Sequence, residues 1–313
     1  PERVTIATIQ TLHKHRGTSR YRAWAKGIGV VIVDELHLAM NRRNFVVVKA
    51  LRPKVRFGLT ATLQVQKKEI RLRANELCGP TLFEYPLQRG VDEGYLAQGL
   101  IVMADCYHDG VSDIGGLEGY QDAYTSVIME NDVRNERIVG VVKAAYKAGH
   151  RIILLCDRVP HIKELSRLLT DVPHRIVYGA VAAEKRRIAC KDFDDGKLRL
   201  IIANRVFKKG IDIRSITFML ECSGSKDPND CIQKYGRGVR RAPGKIGLIF
   251  VDMRDRQTNE GKYMGLVNPF AVAAHARTKT YCKAGIPLVQ ARPDLSVGKI
   301  VSLAAKKLKA LTQ

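Results

Sequence analysis

Residues 30–37 read VVIVDELH, a run of apolar β-formers that stops abruptly at two carboxylates, a leucine and a histidine. The run has the character of a buried strand ending in acid. Similar apolar, β-rich runs recur at 4–9, 56–60, 99–103, 151–156, 175–178, 199–203, 216–220 and 247–251. Between several of them lie segments with helical periodicity, at 121–148, 160–170 and 182–194. Strand alternating with helix predicts an α/β chain whose parallel sheets are covered on both faces.

The 313 residues suffice for two domains with separate cores, and 45% hydrophobic with 27% charged residues describes a globular chain. No apolar stretch reaches the roughly 20 residues that span a bilayer, so no membrane partner is expected. The first residues, PERVTIATIQ, lack the layout of a signal peptide, which points to a soluble protein of the cytoplasm. Seven scattered cysteines, never as CxxC, make a poor disulfide framework and a poor zinc site. The net charge of +22, from 53 Lys+Arg against 31 Asp+Glu, favours a polyanionic partner. That charge is spread along the chain: residues 1–98 hold 17 basic and 8 acidic side chains. A polar, Pro- and Gly-containing stretch at 86–98 is suited to a linker. Residues 258–313 are expected to be mostly helical and carry 9 basic against 2 acidic residues.

Four segments follow VVIVDELH in a set order: GLTAT at 58–62, RIILLCDR at 151–158, IIANRVFKKGIDI at 201–213 and QKYGRGVRR at 233–241. Together they resemble the motor core of superfamily 2 helicases and translocases. DELH with Q-x-x-G-R-x-x-R resembles the DExH branch, including phage recombination helicases of the UvsW type and restriction-type translocases. The resemblance covers about residues 4–252. It implies two RecA-like parallel-sheet domains, the first incomplete at its N-terminus: 1–95, then 96–257, with 258–313 as a basic helical extension.

What the resemblance implies for single residues follows from their place in these motifs. Asp34 would hold Mg²⁺, for which one strand-end carboxylate is enough because the ion keeps several waters. Glu35 would act as base toward the attacking water. His37 would link the nucleotide site to the other motifs, and Thr60 and Thr62 would couple it to the carboxylates. A Thr-rich turn that merely caps the next helix has the same composition. VTIATIQTL at 4–12 resembles the segment that grips the nucleic-acid backbone, with Thr8 and Gln10 as contacts. Asn204 stands where the family usually has Thr, and still offers a donor and an acceptor. Gly210 and Asp212 match a Gly-x-Asp that faces ribose and nucleic acid, and Lys208 and Lys209 would touch phosphate. Gln233, Arg237 and Arg240 would share one face of a helix, the arginines meeting the charge on transferring phosphoryl oxygens.

One part is missing. The phosphate-cradling loop G-x-x-x-x-G-K-[ST] occurs nowhere in the 313 residues, and the GK pairs at 196, 244, 261 and 298 lack the hydroxyl that should follow. Either the earlier part of the first domain lies outside these residues or on another chain, or hydrolysis has been lost. Retention of both carboxylates and both arginines favours the first.

The expected function is therefore ATP- and Mg²⁺-dependent helicase or translocase activity, with DNA preferred to RNA and movement along the phosphate backbone. With 20 aromatic residues in all, extensive base stacking is not expected. The rivals are a nucleic-acid clamp that keeps the fold without turnover, and a motor subunit of a restriction or nuclease complex. The residues do not disclose the oligomeric state.

Overall fold

The computed structural model describes residues 3–61, 68–107, 119–204, 213–225, 227–256, 262–263, 266–292 and 295–312. The chain divides into two compact units, Pro1–Glu84 and Tyr85–Gln313.

The first unit is built on two parallel strands, β1 (Val30–Val33) and β2 (Val55–Gly58), paired from Val30↔Val55 to Val33↔Gly58. Helices α1 (Ile9–His15) and α2 (Ser19–Lys26) precede β1. Helices α3 (Leu36–Ala39) and α4 (Arg42–Ala50) connect the strands, and α5 (Lys68–Cys78) follows β2. Its core is small: Leu36, Ala39, Met40, Val48, Ala74 and Leu77, with Val33 packed against them. The opposite sheet face exposes Val30, Ile32, Val55 and Phe57. Cover on both faces, expected of a parallel sheet, is therefore present on one face of this pair among the described residues. The run VTIATI is not a strand. Its first part is irregular, and Thr8 caps α1, its hydroxyl accepting from Thr11 N at 3.2 Å. A hydroxyl placed just before a helical stretch satisfies an amide that a helix leaves orphaned, and this local bond outweighs the β propensity of the run.

The second unit opens with α6 (Leu87–Asp92), which occupies the stretch expected to be a linker. Gly90 is buried and Leu87 packs on the core, so the segment belongs to the domain body. Strand β3 (Gln98–Tyr107) follows, then α7 (Tyr120–Tyr124), one π turn at Thr125–Met129, and α8 (Asp132–Lys147). The helix expected over 121–148 is thus interrupted, and Asn131 restarts it by accepting from Arg134 N at 3.0 Å. Next come β4 (Ile152–Leu155), α9 (Val159–Leu168), β5 (Arg175–Val177), α10 (Ala183–Asp194), β6 (Leu200–Ala203) and β7 (Phe218–Glu221). The unit continues with α11 (Pro228–Gly238), β8 (Gly247–Arg256), the short strands β9 (Lys262–Tyr263) and β10 (Leu266–Val267), and α12 (Pro269–Lys283). It closes with β11 (Leu288–Ala291) and α13 (Val297–Thr312).

Seven strands form one parallel sheet in the order β11-β3-β8-β7-β4-β6-β5. The pleat sends alternate residues to opposite faces. Leu100, Val102 and Ala104 enter the core with α8, α9 and α13, while Ile101 and Met103 enter the one with Phe193, Tyr235 and Tyr281. Both faces are covered, which is why these strands read as unbroken apolar runs. Each fully buried Leu, Ile or Phe stabilises by about 1.5–3 kcal/mol relative to exposure, so this sheet holds a far larger core than β1–β2.

Candidate active site

The turn after β1 is held by the backbone. Leu59 N donates to Val33 O at 2.9 Å, and Leu36 N donates to Leu59 O at 2.9 Å, so DELH and GLTAT are fixed side by side. Close approach needs Gly58, because a Cβ there would collide with Leu36 Cδ2 and lie 3.2 Å from Cys78 Sγ. Glu35 has φ 48, ψ 51, the only non-glycine residue with positive φ among the described residues. A side chain in this left-handed region costs roughly 1–2 kcal/mol, and such strain gathers at functional sites.

Asp34 is exposed, and its Oδ1 accepts from Glu35 N at 2.9 Å. The Glu35 side chain is 46% exposed, but its Oε2 is enclosed without a hydrogen bond, 3.4 Å from His37 Nδ1. That same nitrogen lies 2.9 Å from Thr60 Oγ1. His37, 10% exposed at its side chain, thus touches the second carboxylate and the coupling hydroxyl together. Neither Asp34 nor Glu35 has a Lys or Arg partner among the described residues, so both carboxylates are available to an outside cation. Asp34 fits one hard-oxygen contact to a Mg²⁺ that keeps its remaining shell from water and phosphate. A cage of three or more protein ligands is not found among the described residues.

In the second unit, Gln233 and Arg237 lie half-buried on α11. Arg240 does not share their helical face. The helix ends at Gly238, and Arg240 forms an antiparallel β-bridge with Leu96, while Ala97 N donates to Val239 O at 2.7 Å. A Cβ at Gly238 would lie 2.6 Å from both Leu248 Cδ2 and Met219 Sδ, so the chain is pressed onto the sheet there. Lys245, visible in the sequence only as half of a Gly-Lys pair, anchors this segment. Its Nζ donates to Gly238 O at 2.5 Å, Arg240 O at 2.9 Å and Arg214 O at 3.0 Å. Burial lowers its pKa to about 8, with Asp194 opposing.

Below α11 lies an ionic network that the sequence did not disclose. Lys234 Nζ donates to Glu221 Oε2 at 2.5 Å and lies 3.0 Å from Asp230 Oδ2. Burial pushes the ammonium toward neutrality, but the Glu221 charge outweighs it and raises the pKa. The only signal was the four-residue spacing of Asp230 and Lys234 on a helix.

Asn204 follows β6, with its N–H donating to Val177 O at 3.3 Å. Thr8 and Gln10 are exposed in the first unit, the Thr8 hydroxyl engaged as the α1 cap. Thr62, Lys208, Lys209, Gly210 and Asp212 lie outside the described residues. No described helix is long and apolar enough to cross a membrane.

The family described as helicase conserved C-terminal domain matches residues 134–242, and that described as type III restriction enzyme, res subunit, matches 1–65. Among curated relatives, the helicase/translocase subunit XPB of general transcription and DNA repair factor IIH from Enterocytozoon bieneusi is 23% identical, over 80% of this chain and 41% of its own length. DEAD-box ATP-dependent RNA helicase 7 of Arabidopsis thaliana is 23% identical over 40% of this chain and 18% of its own length. The chain therefore spans less than half the length of these relatives. Among solved structures, S. cerevisiae Dbp5 L327V bound to RNA and ADP BeF3 shares the fold with a TM-score of 0.58 at 15% identity, covering 97% of this chain and 68% of that one. The two family matches fall in separate parts of the chain, and the likeness to Dbp5 shows a shared fold.

Proposed function

We propose that the chain is part of an ATP-dependent nucleic-acid translocase or helicase. The observation that carries this reading is the DELH turn: two carboxylates without Lys or Arg partners on a strained strand end, tied through His37 to Thr60. In this reading Glu35 orients the attacking water and accepts its proton. Asp34 holds the nucleotide's Mg²⁺, whose charge offsets that developing on the phosphates. Arg237 and Arg240 meet the phosphoryl oxygens, with Gln233, Gly210 and Asp212 toward the nucleotide. Thr62 joins Thr60 in coupling. Thr8, Gln10, Asn204 and Lys208 hold the nucleic-acid backbone and fix position without reading sequence. Turnover calls for a phosphate-cradling loop supplied by residues outside these 313.

We favour DNA as the track, on the res-subunit match and the restriction-type pattern of the motifs. Relatives named as RNA helicases support RNA as the second reading. The deciding experiment measures ATP hydrolysis by the full-length protein with DNA and with RNA, in wild type and Glu35→Gln. A general base contributes about 10²–10⁴-fold, so the variant should lose at least a hundredfold of the stimulated rate. Equal rates would remove Glu35 from its role, and the stronger stimulant identifies the track.

A further inference from the structure

Between Arg3 and Val33 the chain holds six Lys or Arg residues and no Asp or Glu. Five of these cations lie on or next to the two helices that precede β1: Lys14, Arg16, Arg20, Arg22 and Lys26. All five are exposed, and so are Arg42 and Arg43 at the start of α4. None of the seven has a carboxylate partner among the described residues. Five exposed cations elsewhere on the chain do: Lys49 with Glu76, Arg89 with Glu93, Lys143 with Asp171, Arg167 with Glu164 and Arg187 with Glu184.

The surface is also held in shape. Thr18 caps α2 by accepting from Tyr21 N at 3.1 Å, and its own hydroxyl donates to His15 O at 2.9 Å, which fixes the turn from α1 to α2. Tyr21 is buried and pairs with Trp24 at 5.5 Å between ring centroids, anchoring α2. His13 Nε2 meets Asn44 Oδ1 at 3.3 Å, and Asn41 caps α4, so the α4 start sits beside the end of α1. Like charges gathered on a rigid surface repel one another, and that cost is recovered when a polyanion releases its counterions on binding.

We infer that the cations at the end of α1, along α2 and at the start of α4 form a phosphate-binding ridge for the nucleic-acid backbone, in addition to the contacts proposed for Thr8 and Gln10. The inference takes its partner class from the proposed function but needs no ATP turnover. The shared chemistry is the phosphodiester chain, which duplex DNA and single-stranded RNA both offer.

The test measures binding of the full-length protein, without nucleotide, to duplex DNA and to single-stranded RNA across a salt series. It compares wild type, a ridge variant (Arg16, Arg20, Arg22 and Lys26 each to Gln), a charge-preserving variant (the three arginines to Lys), and a control with Lys306, Lys307 and Lys309 each to Gln. Each lost phosphate contact lowers the slope of log K against log salt by about 0.9 on duplex DNA and about 0.7 on a single strand. The ridge variant should lose about two to four in slope and at least about tenfold in affinity at 0.1 M salt. The charge-preserving variant should keep both, and the control should keep most of both. Whichever nucleic acid shows the slope loss is the one the ridge holds. An unchanged slope on both, or an equal loss in the control, overturns the ridge. If the slope falls as expected but ATP hydrolysis is never stimulated, the motor reading fails and the ridge stands.

Discussion

At the end of β1, Asp34 lies exposed and the Glu35 carboxylate lies beside His37, and neither meets a lysine or arginine among the described residues. In β3, β7 and β8 the carboxylates are buried, and each is bonded to a cation: Asp105 to Arg254, Glu221 to Lys234, Asp252 to Arg277 and Asp255 to Arg134. All lie within or just after apolar strands of parallel sheets, so strand patterning by itself does not separate them. The difference teaches that availability, not position at a strand end, separates a candidate reactive acid from a structural one. A carboxylate deep in a large core must be paired, since an unpaired buried charge costs several kcal/mol. One at the margin of a small core can remain open to a ligand.

The largest effect should come from breaking a buried pair. Arg277 holds Asp252 through two hydrogen bonds, Nε to Oδ2 at 2.9 Å and Nη2 to Oδ1 at 2.8 Å, while Tyr281 donates its hydroxyl to Oδ2 at 2.7 Å. Arg277→Met leaves that carboxylate without its cation and should cost about 3–5 kcal/mol in urea unfolding. Asp34→Asn should stay within about 0.5 kcal/mol of wild type. If the two variants unfold at similar urea concentrations, the contrast between the units is wrong.

A second pair of substitutions compares two positions on one helix. Gly238→Ala drives a Cβ to within 2.6 Å of Leu248 and Met219, an overpacking that costs about 1–3 kcal/mol. At Gly236 nothing lies within 4 Å, so Gly236→Ala should stabilise by about 0.5–1 kcal/mol through helix propensity. Opposite shifts in thermal midpoint are expected, and a common sign would show that α11 is not pressed onto the sheet at Gly238.

These glycines show where sequence legibility ends. The alternation of apolar runs and helical periods announced the parallel sheet, because strands such as IILL and LIIA need cover on both faces and contain nothing else. Strand β11 was not expected, since Leu288–Ala291 is one short run with Gln290 inside it, and its partner β3 is remote in sequence. The DELH turn was legible as a motif, yet its openness depends on which cations fold beside it. Spacing alone puts Arg240 on a helix, and the β-bridge that holds it instead is made with Leu96, remote from it in the chain. Lys245 gave no local signal because its three acceptors are main-chain carbonyls.

Strain offers a smaller and more selective probe of the first unit. Glu35→Gly removes the side chain that makes φ 48 costly and should stabilise by about 1 kcal/mol, net of the added freedom of the unfolded chain. Glu35→Gln keeps the strain and should leave stability near that of wild type. Higher stability in Glu35→Gly than in Glu35→Gln, with ATP hydrolysis lost in both, would mark a residue kept for chemistry at the expense of the fold. Equal midpoints would mean that the turn relaxes when its side chain changes.

A pH dependence is expected at Lys245. Its pKa is lowered from 10.5 to about 8, because burial disfavours the ammonium more than Asp194 supports it. Between those two values the unfolded chain holds the proton more firmly than the folded one, so stability from this group rises with pH. That contribution is complete above 10.5 and is lost as pH falls through about 8. The neutral amine has two N–H donors for three carbonyls where the ammonium has three, so the gain comes with a looser hold on one acceptor. Lys245→Met removes the titrating group. Urea midpoints of wild type and variant at pH 7, 8, 9 and 10 should therefore move apart in favour of wild type as pH rises. A difference that stays level or narrows would show that Lys245 keeps an ordinary pKa, and that its three carbonyls hold the ammonium as well as water does.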